Sequence, residues 1–79
     1  MTNKQFAERL NKELDEIGLP SQSQERISAL AKLIGVPKFK AEAFLQGAYT
    51  PDEATLNILA QELEVNADWL VGKSKGSKH

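Results

Sequence analysis

Residues 27–46, ISALAKLIGVPKFKAEAFLQ, decide how the rest of the chain is read. Leu30, Ala31 and Ile34 are apolar at helical spacing, and Gly35 interrupts the pattern. Val36 and Pro37 follow, and Ala41, Phe44 and Leu45 then form a second apolar stripe. Ala31 stands one turn before Gly35, and a small residue there lets a second helix cross close to the first. Glycine accepts the left-handed backbone that such a turn requires. Pro37 suits the first turn of the next helix, where its missing N–H breaks no bond. The stretch predicts two short helices joined by a tight turn. That is the helix-turn-helix pattern, whose second helix enters the major groove of DNA.

Before this stretch, Thr2 and Gln5 have the spacing of a capping box, so a first helix is expected to begin near Asn3. Phe6, Leu10, Leu14 and Ile17 fall on one face of it, and Arg9, Lys12, Glu13, Asp15 and Glu16 fall mostly on the others. Gly18 and Pro20 end it. Ser21 or Ser23 is expected to cap the second helix, which buries Ile27, Leu30, Ala31 and Ile34. The third helix is predicted from about Pro37 to Gln46, stopped by Gly47. In TPDE, Thr50 is read as a cap, Pro51 as the first helical residue and Glu53 as the partner in a capping box. The fourth helix then buries Leu56, Leu59, Ala60 and Leu63, with Ile58 at its edge. Asn66 caps a short fifth helix anchored by Trp69 and Leu70 and ended by Gly72. The expectation is an all-α domain of five helices over residues 1–72. Residues 73–79, KSKGSKH, offer nothing apolar to bury and read as a disordered basic tail.

Composition narrows the function. The chain has 79 residues, no cysteine, and one histidine, His79, at its end. That excludes a disulfide framework and a cysteine metal site, and it fits a cytoplasmic protein. No apolar run approaches the ~20 residues of a membrane span, and no signal peptide is visible. The carboxylates fall on solvent faces of helices and no phosphate-binding glycine loop is present, so neither an enzyme nor a cofactor or small-molecule site is expected. The net charge is −1, but it is segregated. Residues 21–50 carry four basic and two acidic groups, whereas residues 51–72 carry five acidic and no basic ones. The basic part coincides with the helix-turn-helix, so binding to DNA is expected to depend steeply on salt, with the acidic segment facing away.

The chain resembles the lambda-repressor-like, Cro/C1-type (Xre) DNA-binding domains. The resemblance spans residues 6 to 72 and is carried by FAERLN (6–11), LAKLIGVP (30–37), FLQG (44–47), YTP (49–51) and above all LAQELEVNADWLVG (59–72). That last segment is similar to the "iA..L.vs.dWLl.G" of the family. FLQG and the long polar entry EIGLPSQSQERIS are closer to a phage-repressor subgroup that reads "WL.G". Two positions depart from the pattern. Ile27 stands where the family often has a glutamine that touches the DNA backbone, and Pro37 stands where a serine or threonine usually follows the glycine-valine pair. The resemblance implies a small stand-alone repressor that binds a palindromic operator in double-stranded DNA as a homodimer. The tentative dimer surface is Asp68, Trp69 and Val71.

By position, the base-facing residues of the family fall on Lys38, Phe39, Glu42 and Ala43. Lysine suits guanine O6/N7 or a phosphate, an aromatic or methyl-bearing side chain suits a thymine methyl, and glutamate accepts from cytosine N4. Glu42 can also pair with Lys38 along the helix. Arg26, Lys32, Lys40, Gln46 and Tyr49 are the expected contacts to the DNA backbone. The alternative keeps the fold and changes the task. An antitoxin or adaptor would bind a protein through the Lys38–Phe39–Lys40 face, which suits the near-zero net charge and the departures at Ile27 and Pro37.

Overall fold

The computed structural model describes residues 3–72. The expected capping role of Thr2 and the tail reading of residues 73–79 lie outside the described residues. Within them the chain is all-helical: α1 is Asn3–Glu16, α2 Ser23–Ile34, α3 Lys38–Gln46, α4 Glu53–Leu63 and α5 Ala67–Leu70. No helix among them is long and apolar enough to cross a membrane.

One core serves all five helices. Phe6, Leu10 and Leu14 come from α1, Leu30 and Ile34 with Ile27 and Ala31 from α2, Ala41 and Phe44 from α3, Leu59, Ala60 and Leu63 from α4, and Leu70 from α5. α3 packs between α1 and α2, α2 also leans on α4, and α5 lies on α1 and α4. Four expected core residues are less buried than their spacing suggests. Leu45, Leu56 and Trp69 are half-buried and only line the core. Ile17 lies past the end of α1 and is 47% exposed. Glu13, placed by sequence among the solvent-facing residues, is buried instead.

The helices end by one device used four times. After α1, α2, α3 and α4 the chain turns through a left-handed residue, Gly18, Gly35, Gly47 and Glu64. The next N–H then reaches back to the last turn. Leu19 donates to the Leu14 carbonyl at 3.0 Å, Val36 to Ala31 at 3.0 Å, Ala48 to Ala43 at 2.9 Å and Val65 to Ala60 at 3.0 Å. This six-to-one bond satisfies a carbonyl that the helix itself leaves open. At the α2–α3 turn it leaves only Gly35, Val36 and Pro37 between the two helices.

The helix starts differ from expectation. Pro37 is the cap residue of α3 (φ −62, ψ 153) rather than its first helical residue, and α2 begins after Gln22 with no side-chain cap from Ser21 or Ser23. α4 is capped by Asp52, whose side chain accepts from the Thr55 N–H at 2.9 Å, so Thr50 and Pro51 lie before the helix. Pro51 is buried there. Asn66 caps α5 as its sequence predicts, accepting from Asp68 and Trp69 N–H groups at 2.8 and 3.3 Å.

Candidate nucleic-acid interface

α3 turns Ala41 and Phe44 into the core. At about 100° per residue, the side chain directly opposite that buried pair is Phe39. Phe39 is 67% exposed, the most open large apolar side chain among the described residues. Ala43 lies one turn along the same line and is half-buried. Gln46 lies seven residues, or two turns, beyond Phe39. It therefore shares the outward direction of Phe39, apart from the other residues expected at the DNA backbone. Lys38 and Lys40 are both exposed and leave the helix on either side of the phenyl ring. Glu42 is half-buried and accepts from Gln46 Nε2 at 3.5 Å, so its helical neighbour one turn ahead holds it.

The residues expected at the DNA backbone separate into two groups. Lys32 on α2 is exposed, and so is Tyr49, whose ring stands edge-on to Phe44 with centroids 5.4 Å apart. That contact fixes the Tyr49 ring against the end of α3 while 40% of the residue stays open to solvent. Lys40, Tyr49, Asp52 and Thr55 line one hollow of about 300 Å³. Hydrogen bonds from the side chain and the backbone of Thr55 hold the Asp52 carboxyl below its ordinary value, and the charge of Lys40 adds to them. The first acidic residue of segment 51–72 is thus beside α3, not turned away from it.

Arg26 does not belong with the backbone contacts. It is only 6% exposed. Nε donates to the Pro20 carbonyl at 2.7 Å. Nη1 donates to the carbonyl and side chain of Asn11 at 3.1 and 3.2 Å. Nη2 donates to the Asp15 carboxylate and to the Leu19 carbonyl, the latter at 3.3 Å. A guanidinium carries five N–H donors, and these five bonds occupy them. The assignment of Arg26 to phosphate is corrected on that ground: its charge is held inside, between α1, α2 and the loop that joins them.

The same contacts show what positions α3. Asn11 receives Arg26 on its oxygen and donates from Nδ2 to the carbonyls of Ala7 (2.9 Å) and Leu45 (3.2 Å). One side chain of α1 thereby ties α2 to the last turn of α3. Asn3 donates to the Ala48 carbonyl at 3.3 Å. A Cβ placed on Gly47 would lie 3.1 Å from Lys4 Cα, so the start of α1 is pressed against the end of α3. Asn3, Lys4 and Asn11 are not among the residues that the sequence marks for the interface. Their only signal is two asparagines in the α1 stretch, polar residues that do not favour a helix interior.

At the fifth helix, Asp68 is exposed and Trp69 and Val71 are half-buried. The Arg9 guanidinium lies 4.6 Å from the centre of the Trp69 ring and donates to the Trp69 carbonyl. Asp68 and Val71 border a hollow of about 380 Å³ together with Pro51 and Leu56. Comparison of the chain with models of protein families, with curated proteins and with solved structures finds no match.

Proposed function

We propose that this chain is a sequence-specific DNA-binding regulator of the Cro/C1 type, with α2 and α3 as its helix-turn-helix in a lambda-repressor-like arrangement. The observation that supports this reading best is the outward face of α3, where an exposed apolar ring stands between two exposed lysines. An α-helix with its side chains is about as wide as the major groove of B-DNA. In that groove, Lys38 and Lys40 point toward the two phosphate walls while Phe39, Ala43 and Gln46 face the base edges. Lys32 and Tyr49 add contacts that fix orientation without reading sequence. Ile27 is a core residue here, so the glutamine contact usual at that position of the family has no counterpart.

One head of this size reads few base pairs. A homodimer on a palindromic operator, with half-sites about one helical turn apart, gives the specificity a cytoplasmic repressor needs. Asp68, Trp69 and Val71 are the surface proposed for that pairing. Repression then follows from occlusion of the operator.

A second reading, an antitoxin or adaptor that docks a protein on the same face, draws on the exposed Phe39 and the net charge of −1. Selection from a random duplex library at ~150 mM salt, where non-specific binding is already weak, separates the two. The DNA reading expects a two-fold symmetric consensus that the Lys38→Ala/Phe39→Ala double variant relaxes or loses. A folded protein that enriches no sequence favours the protein-docking reading.

A further inference from the structure

Phe39 is an unusual side chain to aim at a base edge, because a phenyl ring has no donor or acceptor. In the major groove the one methyl group among the four unmodified bases is the C5 methyl of thymine. A ring pressed on the polar edges of guanine, adenine or cytosine desolvates them without a replacement hydrogen bond, which is unfavourable. Ala43 continues the apolar line one turn along, and the polar groups of the same face, Glu42 and Gln46, are bonded to one another at 3.5 Å. Lys38 and Lys40, both exposed, leave the helix on either side of the ring.

From this geometry, and resting on the DNA-binding reading above, we propose that Phe39 is a specificity-determining residue for the 5-methyl group of thymine. The preferred half-site then carries a thymine where the Phe39–Ala43 line meets the groove. Recognition at that base pair depends on the methyl group and not on the Watson–Crick edge.

The test uses the duplex recovered from the random library, with each thymine replaced singly by uracil, which removes the methyl and nothing else. The expected result is a loss of about fourfold at one thymine per half-site, the transfer equivalent of one buried methyl. 5-Bromouracil, whose bromine fills the place of the methyl, restores the affinity. For Phe39→Ala, the thymine and uracil duplexes bind equally well. Because Phe39 is on the surface, that variant keeps its fold, which circular dichroism verifies. Uracil tolerated at every position by the unaltered protein overturns the proposal and leaves DNA binding standing. So does a uracil penalty that persists in Phe39→Ala. Failure to recover any duplex overturns both the methyl reading and the DNA reading beneath it.

Discussion

Arg26 and the pair Lys38/Lys40 are the same kind of residue in the sequence, cations near a helix-turn-helix, yet they have opposite fates. Arg26 is folded into a corner where five acceptors from Asn11, Asp15, Leu19 and Pro20 converge. The two lysines stand in solvent around an exposed phenyl ring. The planar fork of a guanidinium can satisfy several carbonyls at once, whereas an ammonium offers a compact charge that stays hydrated. The corner is therefore a fastening that sets where α3 stands, and the α3 face is what that fastening presents. A positive charge near a motif does not by itself mark a contact. Nearby acceptors and burial decide which way it turns.

The sharpest way to break this comparison is Arg26→Ala. It leaves the part-buried carbonyls of Asn11, Leu19 and Pro20 without their donor while the Asp15 carboxylate stays in solvent, and it is expected to cost about 3 kcal/mol, the upper range for acceptors left unmet. Arg26→Lys recovers only part, since lysine lacks the fork. Urea midpoints give the comparison. A loss at Arg26 no larger than that at Lys38 would remove the distinction between the two regions.

The second fastening is tested by Gly47→Ala. The left-handed backbone at φ 75 and a Cβ 3.1 Å from Lys4 Cα both oppose the change. The expected cost is about 2 kcal/mol, read from the same denaturation curves. An unaffected midpoint would mean that α1 does not clamp the end of α3. Asn66→Ala removes the cap of α5 and is expected to cost about 1 kcal/mol, read from the same curves.

A smaller effect concerns Asp52. Its carboxyl titrates below the ordinary value of 3.8 in the folded protein because Thr55 and then Lys40 favour the charged form. The stabilisation is thus present above the ordinary value and is lost as pH falls through the folded one. Asp52→Asn should flatten that part of the acid limb when unfolding midpoints are followed from about pH 6 to 2. An unchanged limb would mean that neither the Thr55 bonds nor Lys40 favours the charged form of Asp52. The smallest effect on stability belongs to Lys38→Ala and Lys40→Ala, each expected within about 0.5 kcal/mol of the parent as surface changes.

Much of the helical layout is legible in the sequence because apolar spacing and glycine both act locally. Phe6, Leu10 and Leu14 recur at the helical period, and Gly18, Gly35, Gly47 and Gly72 mark four of the five left-handed residues that follow helices. The fifth is Glu64, which carries no such signal. There the backbone bond from Val65 to Ala60 imposes the turn on a residue that does not prefer it. Local rules place the start of α4 too early, because Thr50, Pro51 and Asp52 all satisfy them. Burial of Pro51, a tertiary effect, leaves Asp52 as the cap. At the candidate interface, the exposed run Lys38, Phe39 and Lys40 follows from the helical wheel. Arg26 does not, because its acceptors come from residues 11 to 20 and only the folded corner assembles them.

The central claim is that the lysines of α3, and not Arg26, are the charges that meet DNA. The most direct measurement is the salt dependence of affinity for the selected duplex, compared between the parent, Lys38→Ala and Lys40→Ala. Each lysine that neutralises a phosphate adds about 0.9 to the slope of log K against log salt. The account predicts that each substitution lowers the slope by about one per head while the unfolding midpoint holds. A slope that is flat in the parent, or unchanged in both variants, would contradict it.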